Sequence, residues 1–182
     1  MKKIKLLGLF VLSAFVSTNI NAQTKMVGGA AMYPTKNIVE NAVNSKDHTT
    51  LVAAVKAAGL VETLESKGPF TVFAPTNNAF DALPAGTVDN LLKPENKPKL
   101  TSILTYHVVP GKLGSMDLMK MAKANSGKAT LKTVNGENLY IIIEGKQLMV
   151  TDENGGMANI TIADVNQSNG VIHVIDKVLL PK

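Results

Sequence analysis

Residues 68–80 have the sequence GPFTVFAPTNNAF, which predicts a short strand followed directly by a helix. An initial Gly-Pro pair separates the β-rich run 70–74 from whatever precedes it, and Pro75 ends that run. Thr76 is a favourable helix N-cap, because its hydroxyl can accept a hydrogen bond from a backbone N–H of the first turn. The helix that begins there would turn Phe80 towards the core.

A second stretch near the C-terminus, residues 169–181, has the sequence NGVIHVIDKVLLP. An Asn-Gly turn leads into the run 171–175, which is apolar on both of its faces. Such a strand belongs at the centre of a layered fold, where both faces are covered. His173 lies within this run, so we expect it to be buried and hydrogen-bonded, because an unpaired buried ring nitrogen is costly.

The segments around these two stretches predict helices before strands. Apolar residues recur at helical spacing over residues 37–66, where Gly59 ends one helix. From Tyr106 onward β-rich runs alternate with turns, and Asn135-Gly136 is a strong hairpin signal. Helices followed by antiparallel strands favour an α+β domain over a parallel sheet of βαβ units.

The N-terminal end resembles a secretory signal peptide. Three lysines precede the short apolar stretch 6–16, and a small residue, Ala22, stands at the expected cleavage point. We therefore predict a signal peptide at 1–22, a flexible N-terminal segment at 23–35 and a single domain at 36–182. No later apolar run is long enough to cross a bilayer, so no membrane span is expected after cleavage. Export would place the protein in the periplasm or outside the cell.

The charge of the chain does not favour nucleic acid as a partner. The formal net charge is +5 from 19 basic and 14 acidic residues, and every basic residue is a lysine. Without Lys2, Lys3 and Lys5 the chain has 16 basic and 14 acidic residues, which is a net charge of +2. Arginine, the side chain best suited to bidentate phosphate contacts, is absent. The chain also has no cysteine, which excludes disulfides and thiolate sites.

The sequence contains no recognisable catalytic motif, so we predict a protein that is not an enzyme and has no cofactor. His48, His107 and His173 are far apart, without metal-ligand spacing. His48 precedes a helix and is expected to be exposed, whereas the other two lie in apolar runs and are expected to be buried. A soft-metal or small-ligand site remains open at Met116, Met119 and Met121, because thioethers bind Cu(I). On a helix, however, side chains at this spacing do not converge on one point.

Three ordered segments carry a resemblance to a known family. The stretches 68–80, 106–111 (YHVVPG) and 169–181 resemble the three characteristic boxes of the fasciclin (FAS1) domain, and the likeness spans about residues 36–182. It implies a twisted β-sandwich or wedge of about seven strands with several helices packed on one side. It also implies a non-enzymatic adhesion or interaction module, of the single-domain secreted bacterial type, whose partner is a cell-surface or matrix protein or polysaccharide.

The same resemblance suggests a candidate binding segment. In animal members of the family the Tyr-His pair and its aliphatic neighbours are linked to integrin binding. The matching residues here are Ile103, Leu104, Tyr106, His107, Val108 and Val109. These residues could instead form part of the buried core, and we favour this second role, because such an apolar stretch is typical of a protein interior. The alternative function is a periplasmic protein that binds a small ligand or copper through the Met-rich segment.

Overall fold

The computed structural model describes residues 24–145 and 147–182. The predicted signal peptide, residues 1–22, lies outside the described residues. The strands are β1 (Lys25–Val27), β2 (Ala30–Met32), β3 (Phe70–Pro75), β4 (Val108–Pro110), β5 (Lys128–Lys132), β6 (Asn138–Glu144), β7 (Gln147–Thr151), β8 (Met157–Gln167) and β9 (Gly170–Ile175). The α-helices are α1 (Ile38–Ala42), α2 (Thr49–Ala58), α3 (Val61–Glu65), α4 (Asn77–Asp81), α5 (Thr87–Leu91), α6 (Lys97–Tyr106) and α7 (Ser115–Ala124), and short 3-10 helices precede α2 and α6.

Local signals in the sequence determine where several helices begin and end. Asn37 caps α1 in a capping box with Glu40, each side chain bonding the other residue's backbone N–H. Gly59 ends α2 in the left-handed conformation with a φ of 74°. The Thr76 hydroxyl accepts a hydrogen bond from the Ala79 N–H at the start of α4, as the sequence predicts.

Seven strands form one mixed sheet in the order β4-β3-β9-β8-β7-β6-β5. The sheet is nearly closed, because the Val134 N–H just after β5 donates to the Val108 carbonyl of β4 over 2.8 Å. Six neighbouring pairs make up the sheet, and five of them are antiparallel. The pair β3–β9 is parallel, with Phe70 opposite Gly170. The expected α+β class and seven strands are confirmed, but the expectation of antiparallel pairing alone is wrong at this central pair.

The parallel pair separates two hydrophobic clusters. Val72 and Ile172 face the layer of helices α1–α3 and α6, while Phe73 and Ile175 face the interior of the nearly closed sheet. Helix α7 covers that interior with Leu118, which is fully buried. Both faces of β3 and β9 are therefore covered, which agrees with the apolar pattern of the two stretches.

The start of this parallel pair requires a very close backbone approach. A Cβ atom on Gly170 would lie 2.1 Å from the Phe70 carbonyl oxygen. Backbone at that distance cannot move aside cheaply, so only glycine fits at position 170. The Asn-Gly dipeptide predicted as a turn therefore also sets the distance between β3 and β9.

The N-terminal segment differs from the expected flexible tether. Strands β1 and β2 form a hairpin whose Val27 and Met32 side chains belong to the helix-side cluster, each only 3% exposed. The Lys46 N–H donates to the Gly28 carbonyl at the hairpin tip. The side chain of Asn41 bonds both backbone groups of Tyr33 at the other end. The buried Val27 and Met32 side chains and these hydrogen bonds hold the segment against the domain.

Candidate functional site

The structure buries the whole candidate binding segment. Residues Ile103, Leu104, Tyr106, His107, Val108 and Val109 are each between 0 and 7% exposed. Tyr106 is the last residue of α6 rather than part of a strand, and β4 begins only at Val108. Three of the six residues belong to α6, two belong to β4 and His107 joins these elements. All six side chains are buried, so they do not reach a partner in this conformation. This placement agrees with the core role favoured from the sequence.

Tyr106 connects helix α6 to two turns of the sheet. Its hydroxyl donates to the Asn138 carbonyl over 2.7 Å and accepts from the Glu153 N–H over 3.3 Å. Burial raises the pKa of Tyr106 to about 12, so the hydroxyl stays protonated at physiological pH. The ring is fully buried while its polar end satisfies two backbone groups.

His107 is a fully satisfied core histidine. Its Nδ1 lies 2.8 Å from the Ile103 carbonyl, to which it donates, and its Nε2 accepts from the Leu179 N–H over 3.1 Å. In this neutral tautomer both ring nitrogens are hydrogen-bonded. Burial lowers the pKa of His107 to about 4, opposed by the bond to Ile103. The ring ties the end of α6 to the C-terminal segment.

His173 is buried and hydrogen-bonded, as predicted. Its Nε2 donates to the Leu113 carbonyl over 2.9 Å, its Nδ1 accepts from the Asp164 N–H, and its ring stacks on Phe73 with centroids 5.7 Å apart. Burial lowers the pKa of His173. Burial would raise the pKa of the Asp164 carboxyl, but two hydrogen bonds from Ser115 hold it below its usual value. These groups position the start of α7.

His48 was expected to be exposed, and that expectation is wrong. The side chain is only 3% exposed, because the tip of the N-terminal hairpin packs over this turn. Its Nδ1 lies 2.8 Å from the Ser45 hydroxyl. Burial lowers the pKa of His48, and the nearby Ala74 backbone opposes this. No group among the described residues satisfies hydrogen-bond geometry at Nε2.

The methionine-rich segment lies on helix α7. Met116 is 62% exposed, whereas Met119 and Met121 are half-buried. Within residues 24–145 and 147–182, no three His, Asp or Glu residues are grouped so as to hold a metal ion. In the same ranges no helix is long and apolar enough to cross a membrane.

One end of the molecule presents an ordered surface that sequence reasoning missed. We call it the turn cluster: the turns 133–137 and 152–156 together with the C-terminal residues 180–182. The Lys182 N–H donates to the Glu137 carboxylate over 2.8 Å, and the Asn154 amide donates to the carbonyls of Leu180 and Pro181. Asn138 links the two turns through Glu153.

The turn cluster combines a polar framework with exposed aliphatic side chains. Val134 is 44% exposed and Leu180 is 41% exposed. The Asp152 carboxylate accepts backbone N–H groups from both its own turn and Leu180, which holds the surface together. The three segments are far apart in sequence, so only the Asn-Gly turn signal pointed to any part of this surface.

Comparison with known proteins identifies consistent relatives. The family model of the fasciclin domain matches residues 46–181. The chain is 48% identical to protein sll1483 of Synechocystis over 168 residues, covering 92% of this chain and 86% of that protein. It is 36% identical to the cell surface glycolipoprotein MPB83 of Mycobacterium bovis over 160 residues, 85% of this chain and 64% of that one.

The fold also matches a solved structure, a FAS1 domain pair from the insect cell adhesion molecule fasciclin I. The TM-score is 0.70 at 19% sequence identity, and the match covers 79% of this chain and 50% of that chain. At this identity the likeness shows a shared fold.

Proposed function

Because this chain belongs to the fasciclin domain family, we propose that it is an exported, non-enzymatic module that binds a partner at the cell surface or in the surrounding matrix. One relative is named as a cell surface glycolipoprotein, which supports a role on the outer side of a membrane. The N-terminal pattern of residues 1–22 supports export.

The observation that carries this proposal is the turn cluster. It presents the exposed side chains of Val134 and Leu180 on turns that are already held by hydrogen bonds. A preordered surface loses little conformational entropy on binding, so its exposed apolar area contributes more to affinity. Aliphatic side chains without a flat aromatic ring favour a protein partner over a polysaccharide.

The test is retention of the purified protein on the envelope and matrix fractions of the producing cells. We expect saturable retention that the Val134→Ser/Leu180→Ser variant loses. The matched control, Val43→Ser/Met116→Ser, changes two exposed apolar side chains on other elements and should bind normally. Equal retention of both double variants would exclude the turn cluster as the binding surface.

Two treatments of the fractions separate the partner classes. Protease digestion should abolish retention, whereas loss only after glycosidase digestion would identify a polysaccharide partner. No retention on any fraction would overturn the adhesion proposal.

The candidate segment 103–109 is tested beside the turn cluster. A Tyr106→Ala/His107→Ala variant should lose thermal stability, because both side chains are buried and hydrogen-bonded. Lost retention in a variant that still melts like the parent protein would instead make this segment part of the binding site.

A further inference from the structure

A cavity of about 60 Å³ lies between the N-terminal hairpin, the helices and the sheet. Val27 and Met32 of the hairpin form one wall, Val55 of α2 and Leu64 of α3 form a second, and Ile172 of β9 lies on the sheet side. Almost all lining side chains are aliphatic. An apolar cavity of this kind favours an apolar occupant over water, which needs two or more polar partners.

Three polar side chains interrupt this apolar lining: the exposed Lys56, His107 with both ring nitrogens bonded, and His48. His48 lines the cavity, is 97% buried and has no hydrogen-bond partner at Nε2 among the described residues. The hydroxyl of Ser45 is bonded to no other acceptor in the described part of the chain, so it donates to Nδ1. Nε2 then carries the ring proton and is left as a donor. The Ala74 backbone lies close enough to His48 to raise its pKa, but it does not satisfy hydrogen-bond geometry at Nε2. A buried donor that is so poorly bonded is costly, and a well-placed acceptor would recover part of that loss.

Helices α1 and α2 contribute lining residues that are partly accessible to solvent. The half-buried lining residues include Val39 and Ala42 of α1 and Val52 of α2, whereas Lys56 is the exposed one in the described lining. Lys56 is exposed to solvent, and none of the buried lining side chains in the described residues is an acid or a lysine. An uncharged ligand suits such a wall, because burying an unpaired charge is unfavourable.

We propose that this cavity binds a compact, uncharged ligand of about four to six non-hydrogen atoms, whose single hydroxyl or carbonyl oxygen accepts a hydrogen bond from Nε2 of His48. The size follows from the volume, since each water-sized occupant needs about 10–15 Å³. This site is separate from the turn cluster, and it does not depend on the adhesion proposal.

Two probes that differ by one hydroxyl group test the proposal. Cyclopentanol and cyclopentane are titrated into the protein, and the methyl signals of Val27, Leu64 and Ile172 and the ring nitrogen signals of His48 are followed by NMR. We expect both probes to shift the methyl signals, and only cyclopentanol to shift the Nε2 signal. Dissociation constants for the two probes come from the same titrations.

A His48→Leu/Ser45→Ala variant removes the polar anchor together with the hydroxyl that would lose its partner. The preference for cyclopentanol over cyclopentane should fall by about tenfold, because the buried hydroxyl would then have no donor. An unchanged preference would overturn the role of His48.

A cavity-filling pair tests the location. Ala42→Leu should block both probes, whereas Ala57→Leu, an exposed alanine on α2, should leave both dissociation constants unchanged. Thermal melts establish that each variant is folded. Binding that survives a folded Ala42→Leu variant, or the absence of methyl shifts at saturating probe, would overturn the proposed site. If the Nε2 signal of His48 showed a bound water that cyclopentanol does not displace, this result would also overturn the proposed site.

Discussion

At the scale of single residues, His107 makes the stability of the protein depend on pH. Its pKa is lowered to about 4 in the folded protein, against about 6.5 in the unfolded chain. The unfolded chain binds more protons between these values, so the free energy of unfolding falls as pH falls from 6.5 to 4. The full effect is about 3 kcal/mol, and it is absent above pH 6.5.

We expect His107→Gln to weaken this pH dependence. A glutamine amide can still donate to the Ile103 carbonyl and accept from the Leu179 N–H, but it takes up no proton. Urea midpoints at pH 7.5 and pH 5 measure the effect, and the difference between them should be smaller in the variant. The buried His48 and His173 also have lowered pKa values, so part of the dependence should remain. A difference as large as in the parent protein would show that His107 does not titrate in this range.

Tyr106 gives a second residue-scale prediction. Tyr106→Phe removes the hydroxyl that bonds Asn138 and Glu153, and it should lower the free energy of unfolding by about 1–3 kcal/mol. The matched control is Tyr33→Phe, because the Tyr33 side chain is 46% exposed and its ring position near Lys36 is retained. Chemical denaturation should show a change within about 0.5 kcal/mol for the control. Similar losses in both variants would contradict the role of the Tyr106 hydroxyl.

The histidines show what could be predicted for individual residues. The burial of His107 and His173 follows from their apolar neighbours in sequence, and the structure confirms it. The burial of His48 was missed, because its position before a helix and its polar neighbours Asp47 and Thr49 predict an exposed side chain. The groups that cover His48 come from the hairpin at residues 25–32 and from β3, and no local pattern contains that information.

At the scale of elements, the side chain of Asn169 holds two helices against the sheet. It accepts from the Ile38 N–H at the start of α1 and donates to the carbonyls of Leu64 and Ser66 at the end of α3. Asn169→Asp keeps the acceptor but places a carboxylate against two carbonyl oxygens. The free energy of unfolding should fall by about 2–4 kcal/mol.

Asn166→Asp serves as the control for this substitution. Asn166 is half-buried near the end of strand β8, three residues before Asn169, and its amide makes a long 3.4 Å bond to the Asp164 carbonyl. Urea denaturation should show a loss below about 1 kcal/mol. If Asn169→Asp were no more damaging than this control, the three bonds of Asn169 would not be what joins the helices to the sheet.

Helices and turns that are marked by local sequence signals could be predicted, but the pairing of the strands in the sheet could not. Thr76 and Gly59 marked helix ends, and the Asn135-Gly136 turn between β5 and β6 is where the sequence predicts it. The parallel pairing of β3 with β9 was missed. A strand covered on both faces has the same apolar pattern in a parallel and in an antiparallel pair. The direction of pairing depends on which strand lies beside β9, and the sequence pattern of β9 does not identify that strand.

At the scale of the whole molecule, the N-terminal hairpin belongs to the cooperative core. Met32 is 3% exposed, whereas Met26 on the paired strand is 61% exposed. Met32→Ala should lower the free energy of unfolding by about 2–4 kcal/mol, and Met26→Ala should change it by less than about 0.5 kcal/mol. Equal effects of the two substitutions in thermal or urea unfolding would mean that the hairpin is a loose segment.

Neither candidate site could be derived from the sequence. The turn cluster joins residues 133–137, 152–156 and 180–182, and the cavity joins the hairpin with α1, α2, α3 and the sheet. Each contributing segment is ordinary on its own, with a turn signal or an amphipathic pattern. A surface or a cavity is a property of their arrangement, so it becomes visible only with the fold.

The parallel pair β3–β9 has a consequence for the order of events during synthesis. Its partners are 100 residues apart, since Phe70 lies opposite Gly170. A ribosome must therefore synthesise about 100 further residues after β3 before β9 can pair with it, and such distant pairing slows folding. A nascent chain that stays open until its last strand appears is suited to threading through a translocation channel, which the proposed export would require. Late pairing of β3 with β9 would in this way favour the proposed export.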